Sequence, residues 1–178
     1  MRLLLATHNP GKRHEWASLL EGLKSQGPLE LLLPEDVGLD IDVKETGETY
    51  MENALLKART LAEASGLPSL ADDSGLEVDA LEGAPGVRSA RYKLGSDEVR
   101  YRALLKALEG VPDAQRTARF RCVAALILPD GREFTTEGIC EGVIAQAPKG
   151  EEGFGYDPVF YLPDQDRMMA ELSEDEKN

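Results

Sequence analysis

The stretch from Leu70 to Asp79 (LADDSGLEVD) constrains this chain more than any other. An apolar lead-in runs into two adjacent carboxylates, Asp72 and Asp73. Ser74 and Gly75 then interrupt the apolar run, and Leu76, Glu77 and Val78 resume it. The pattern predicts strand, acidic turn, strand, because Asp, Ser and Gly are ordinary turn formers. Two neighbouring carboxylates at a strand end repel each other. The stretch is therefore either a plain solvated turn or a place where a positive charge is wanted, and a divalent cation suits it.

Composition bounds what surrounds that stretch. A chain of 178 residues with 42% hydrophobic content has the size of one compact domain, two-lobed at most, that builds its core without staples. A formal net charge of −13 and a pI near 4.6 argue against a protein that holds nucleic acid or an anionic membrane by its general field. Any anionic ligand must meet a local cluster of bases. Cys122 and Cys140 are the only cysteines and have no C-x-x-C spacing, so neither a disulfide framework nor a zinc site is indicated, and a reduced, cytoplasmic setting fits. The apolar run at residues 3–6 is too short for a signal-peptide core, and no stretch approaches a membrane span.

From the N-terminus, residues 3–6 read as a short buried strand. Thr7, His8, Asn9, Pro10, Gly11 and Lys12 follow, and a helical pattern continues through Trp16, Leu19, Leu20 and Leu23. Asn9 as cap with Pro10 at the first helical position is a regular helix start. Strand, polar turn and helix N-terminus together aim backbone N–H groups and the positive end of the helix dipole at the turn, and Lys12 adds a full charge. This is a candidate phosphate site, with a cap and a surface lysine as the plainer alternative. The Walker spacing is absent.

A strand at residues 29–33 closes at Pro34, and an acidic loop over residues 40–48 carries Glu45. Thr49 and Glu52 have capping-box spacing, and the helix they start ends at Gly66 and Pro68. Met51, Ala54, Leu55, Ala58, Leu61 and Ala62 project to one face; Thr49, Asn53, Lys57 and Thr60 project to the other, either as a solvated stripe or as a ligand-facing wall. Residues 80–92 read as an ordered loop with Arg88 and Arg91. Ser96 caps a helix of about residues 97–108, and the longest strand candidate spans residues 117–128. A hairpin turn at Pro129, Asp130 and Gly131 leads to strands at 132–136 and 138–145. In residues 150–158 glycines flank Phe154 and Tyr156, which either offer faces for a base to stack on or anchor a tight turn in the core. Ser173 and Glu176 stand in capping-box register close to Asn178, so the tail reads as a helix start cut short.

Several of these motifs together resemble a known family. Thr7, Asn9 and Lys12 are one; Glu45-Thr-Gly with Glu52-Asn-Ala and Lys57-Ala is another. Ala71-Asp-Asp-Ser-Gly-Leu, Gly83-Ala-Pro-Gly with Ser89-Ala-Arg-Tyr, Gly153-Phe-Gly-Tyr-Asp-Pro, and Met169-Ala-Glu-Leu with Glu176-Lys complete the set. In order and spacing they are similar to the Ham1-like inosine triphosphate pyrophosphatases over essentially the whole chain. The resemblance implies one domain over residues 1–178 with an elongated, two-lobed α/β fold. A long central mixed sheet is flanked by helices, the active cleft lies between the lobes, and the protein is a homodimer. It implies Mg²⁺-dependent hydrolysis of ITP, dITP and XTP to the monophosphate and pyrophosphate, which keeps deaminated purines out of DNA and RNA.

By the same resemblance, Asp73 is the general base and a metal ligand, with Glu45 and Asp72 as further ligands. Thr7, His8, Asn9, Pro10, Gly11 and Lys12 hold the triphosphate, Lys57 sits near the phosphates, and Ser74 contacts substrate. Phe154, Gly155, Tyr156, Asp157 and Lys177 hold the nucleoside. Related sequences carry a Ser-His-Arg motif a few residues beyond the position of Lys177 that helps read the purine, and this sequence stops before it. Two alternatives are weighed against that reading. A non-catalytic nucleotide sensor would bind without turnover and has no need of Glu45 together with the Asp72-Asp73 pair. A phosphoaspartate phosphatase needs an Asp-x-Asp after the first strand, where Thr7, His8 and Asn9 stand.

Overall fold

The apolar runs and capped helices appear in chain order as β1 (Arg2–Leu5), α1 (Pro10–Glu21), β2 (Glu30–Leu32), α2 (Tyr50–Ser65), β3 (Ser69–Val78), α3 (Asp97–Ala107), β4 (Thr117–Ile127), β5 (Glu133–Ile144), β6 (Phe160–Leu162), β7 (Arg167–Met168) and α4 (Glu174–Lys177). This is a computed structural model, and it describes residues 1–22 and 27–177. Among the described residues seven strands form one mixed sheet in the order β2-β1-β3-β4-β5-β6-β7. β1 runs parallel to β2 and β3, pairing Leu3 with Leu31 and Leu5 with Leu70; β6 runs antiparallel to β5 and β7.

The contacts divide into two compact units, and the division falls within β3, β4 and β5. The first comprises Met1–Asp73 and Cys122–Glu137. Leu3, Leu5 and Leu70 form its core, against which Trp16, Leu20, Leu29, Leu31, Ala124 and Leu126 pack. The second takes in Ser74–Arg121 and the stretch that begins at Gly138. Leu76, Val78, Leu104, Leu108, Ile144, Val159 and Phe160 lie at its centre, and the Phe120 ring tilts against Phe160 with centroids 4.6 Å apart.

Local chemistry accounts for the element ends. Thr49 Oγ1 accepts the Glu52 N–H at 3.2 Å while Glu52 Oε2 accepts the N–H groups of Thr49 and Glu48, so α2 starts with its first donors satisfied. It ends at Gly66 with φ of 67°, a left-handed conformation that glycine adopts without cost. Ser173 and Glu176 form the expected reciprocal bonds at the start of α4.

Several expectations are corrected. The Asp-Asp-Ser-Gly segment is no turn: β3 runs unbroken through it for ten residues. The strand has neighbours on both sides, β1 and β4, so ladder bonds outweigh the turn preference of isolated Asp, Ser and Gly. Residues 132–136 and 138–145 are likewise not two strands but one, β5, and at twelve residues it exceeds the eleven of β4. Helix α2 buries Tyr50, Asn53, Ala54, Ala58, Leu61 and Ala62, whereas Met51 is exposed; of the other stripe Asn53 is buried, Lys57 and Thr60 are half-buried and Thr49 is exposed. In α1 Leu19 is exposed rather than on a buried face, and the expected position of Leu23 lies outside the described residues.

Candidate active site

The geometry of the site starts from the alternation of a strand. Successive side chains point to opposite faces, so Asp72 and Asp73, adjacent in sequence, cannot face the same way on β3. Asp72 meets α1: its Oδ1 accepts the Trp16 indole N–H at 3.0 Å and its Oδ2 pairs with the Lys12 ammonium. Asp73 meets α2: its Oδ2 accepts from Asn53 Nδ2 at 3.0 Å, and Lys57 Nζ lies 3.9 Å from its Oδ1. Both aspartates are buried, at 2% and 5% exposure. Each has a lysine beside it, so two ammonium groups meet the mutual repulsion read from the sequence.

Asn53 and Lys57 stand four residues apart on α2 and therefore share a face. Lys57 Nζ also pairs with Glu45 Oε1 at 2.6 Å, so one ammonium lies against two carboxylates. Burial pushes the Asp73 carboxyl above the ordinary carboxylate range; Lys57 and the Asn53 hydrogen bond pull it down and Glu45 pushes it up, and burial prevails. Burial pulls the Lys12 ammonium down, but Asp72 outweighs it and the net shift is upward. Cys122, whose Sγ is 3.9 Å from Asp72 Oδ2, is pushed up to about 11 by burial and the neighbouring carboxylates.

After β1 the polar turn forms as its residues suggest. Asn9 caps α1, its Oδ1 accepting the Gly11 and Lys12 N–H groups at 2.9 and 3.3 Å. Those two donors, expected to point at an anion, are engaged by the cap. Thr7 is buried and its Oγ1 accepts the Asn9 N–H at 3.2 Å, while His8 is exposed with Nε2 3.2 Å from the Ile41 carbonyl oxygen. Pro10 opens the helix. Arg13, not singled out from the sequence, donates from Nε to the Thr7 carbonyl at 3.1 Å and pairs with Glu35, tying the turn to the loop after β2.

In the second unit the residues from Gly153 to Asp157 and Lys177 form a cluster of their own. Asp157, 3% exposed, accepts at Oδ2 from the Phe154 N–H at 3.0 Å and from Lys177 Nζ at 2.8 Å. Lys177 Nζ stands 4.8 Å from the Phe154 ring centroid, a cation–π distance. Gly153 must be glycine: its φ is 76°, and a Cβ there would sit 2.1 Å from Asp157 Oδ2. Tyr156 is a core residue whose hydroxyl donates to the Ser89 carbonyl at 2.8 Å, and burial pushes its phenol upward; of the two aromatics Phe154 is the half-exposed one. Asp97, at the first position of α3, accepts the Gly155 N–H at 2.8 Å, a contact with no signal in the sequence. Ser74 is half-buried on β3.

No three His, Cys, Asp or Glu side chains among the described residues gather as a metal cage, so Asp72 is not brought together with Glu45 and Asp73 in that sense. The donor set nevertheless fits Mg²⁺. Glu45 and Asp73 are hard oxygen donors that already flank one cation, the Lys57 ammonium. Mg²⁺ characteristically takes one or two carboxylates and completes its shell with water and phosphate oxygens rather than with a full protein cage.

Fold and site thus define an α/β protein with a buried carboxylate–lysine centre on the inner strand of a mixed sheet. Comparison with known proteins narrows that class. The model of the Ham1 family matches residues 3–178. A protein of Symbiobacterium thermophilum named dITP/XTP pyrophosphatase is 52% identical, covering 99% of this chain and 86% of its own length. A protein of Bacillus subtilis with the same name is 45% identical over 98% of this chain and 87% of its own length. Among solved structures, a HAM1 protein from Coxiella burnetii superposes with a TM-score of 0.88 at 42% identity, covering 100% of this chain and 90% of that one. A nucleoside-triphosphatase / dITP/XTP pyrophosphatase from Mycobacterium abscessus gives a TM-score of 0.80 at 42% identity, covering 99% and 92%. The chain belongs to the Ham1 family.

Proposed function

We propose that this protein hydrolyses the deaminated purine nucleoside triphosphates dITP, XTP and ITP to the monophosphate and pyrophosphate, with Mg²⁺ as cofactor. The observation that carries the reading is Asp73: a buried carboxylate of raised proton affinity, held by Asn53 and flanked by Lys57 and Glu45. The names of the relatives support the same activity.

Cleavage between the α and β phosphates requires a water oxygen to bond to the α phosphorus while the bond from that phosphorus to the bridging oxygen breaks. Pyrophosphate leaves with the bridging oxygen, and the water gives up a proton. Asp73 takes that proton, its carboxylate held in place by the Asn53 amide. Lys57 and Lys12 supply positive charge for the phosphates. Lys12 and the turn from Thr7 hold the triphosphate, Ser74 contacts substrate, and Phe154, Gly155, Asp157 and Lys177 serve the nucleoside, with Tyr156 supporting their loop from the core. Glu45 and Asp73 would hold Mg²⁺, with Asp72 acting through its charge. The ion's chemistry is to acidify the attacking water and neutralise charge on the departing pyrophosphate.

A homodimer and a reducing, cytoplasmic setting belong to the same reading. Light scattering tests the mass. The activity is tested by product analysis with dITP, XTP, ITP, ATP and GTP, with and without Mg²⁺, for the wild type and Asp73→Asn. Monophosphate plus pyrophosphate from the deaminated purines, lost in the variant, is expected. Orthophosphate as first product would sink the mechanism, and tight binding without product would favour the sensor.

A further inference from the structure

Asn53 is wholly buried, at 0% exposure, in the first turn of α2, and the mechanism above leaves it without an assigned part in the chemistry. A buried amide must find partners for both its oxygen and its nitrogen. Asn53 Oδ1 accepts the Gly47 N–H at 2.8 Å; Nδ2 donates to Asp73 Oδ2 at 3.0 Å and reaches the Gly47 carbonyl at 3.4 Å. The orientation follows from chemistry, because a carboxylate only accepts and a backbone N–H only donates.

Gly47 lies two residues beyond Glu45, and the approach is so close that a Cβ there would meet Asn53 Oδ1 and Glu52 Cβ, each at 2.7 Å. One side chain therefore joins the loop that carries Glu45 to the strand that carries Asp73. It does so from a helix turn already stiffened by the Thr49–Glu52 capping box.

We propose that Asn53 is a positioning residue of this site. It fixes the Glu45 loop against Asp73, accepting the Gly47 N–H on one side and donating to Asp73 Oδ2 on the other. This rests on the hydrolytic reading given above. The role needs an amide: a hydroxyl is too short to span both partners, and a carboxylate has no donor for Asp73.

The test compares the wild type with Asn53→Asp and Asn53→Ala, using dITP with Mg²⁺ for kinetics and hydrogen exchange at the Gly47 amide without nucleotide. Asn53→Asp keeps the acceptor for Gly47 but sets an acceptor against Asp73; Asn53→Ala removes both contacts. Misplaced reacting groups cost on the order of 100-fold, so kcat is expected to fall by at least ~100-fold in both variants, with KM within about threefold. Gly47 should stay protected from exchange in the wild type and Asn53→Asp and lose protection in Asn53→Ala. A folded Asn53→Asp protein whose kcat stays within about threefold of wild type, or whose loss lies in KM alone, overturns the inference while the hydrolytic reading stands. A wild type that does not hydrolyse dITP overturns both. If neither Asn53 variant folds, Gly47→Ala, which pushes on the same amide from the loop side, is judged by the same kcat criterion.

Discussion

Among the described residues Arg116 is the largest fully buried side chain, at 1% exposure, and no carboxylate of those residues is hydrogen-bonded to it. Its guanidinium instead donates to three backbone carbonyls: Ile144 at 2.7 Å, Leu108 at 2.9 Å and Ala145 at 2.8 Å. These link the end of α3 to the end of β5, and burial pulls the guanidinium pKa down without neutralising it. Replacing Arg116 by Met removes the charge and its desolvation cost, but it takes this donor from the Ile144 and Ala145 carbonyls at roughly 1–3 kcal/mol each, while the Leu108 carbonyl keeps the Val111 N–H. Part of that is offset because a buried cation is itself expensive, so the expected net loss is about 2–4 kcal/mol. For a chain of this size a loss of that order corresponds to a fall in Tm of roughly 4–16 °C. Urea denaturation followed by circular dichroism measures it as a lower midpoint at unchanged m value. Arg116→Lys, with one compact head in place of a planar fork, should recover only part of the loss. A loss below about 1 kcal/mol for Arg116→Met would refute the reasoning, since the Ile144 and Ala145 carbonyls would then have found other partners.

Four further outcomes are expected. Lys57→Met takes the shared cation from Glu45 and Asp73, and kcat for dITP should fall by ~100-fold or more in steady-state assays. Gly153→Ala forces a Cβ onto Asp157 and should raise KM for dITP more than it lowers kcat; an unchanged KM would remove that loop from nucleoside binding. Chelation of Mg²⁺ should abolish turnover and leave the far-ultraviolet circular dichroism spectrum unchanged, because Lys57 already compensates the carboxylates. The thiol of Cys122 should be slow to alkylate at pH 8, with a rate still rising at pH 10. Its folded pKa of about 11 lies above the unfolded value, so its contribution to stability is full below about 9 and is lost as pH rises towards 11. A rate that levels off near pH 8.5 would contradict that environment.

Much of the site was legible before the fold was known. The cap at Asn9, the capping box at Thr49 and Glu52, and the glycine stop at Gly66 are local devices, and each forms as its residues suggest. Lys12, Glu45, Lys57, Asp72 and Asp73 stand out in the sequence by their charge, and the structure joins them as ion pairs. The acidic stretch was misread as a turn because propensity is a local prior, and an inner strand of a sheet overrides it with pairing on both edges. Trp16 and Asp97 were missed because the residues they hold, Asp72 and Gly155, are 56 and 58 positions away, and no periodicity reports such distances.

By itself the sequence determined where the main helices start, where α2 stops, which residue types could handle phosphate and an ion, and, through its motifs, the family. The tertiary structure alone decided how the charges divide. Strand alternation on β3 sends Asp72 to Lys12 and Trp16 and Asp73 to Asn53, Lys57 and Glu45. It also decided that Asn53 is a buried link rather than part of a solvated stripe, and that Asp73 holds its proton more tightly than a free aspartate. The physical reason is the same in each case. Proton affinity and the energy of an ion pair depend on burial and on separations of a few ångströms, and these exist only once distant segments have packed.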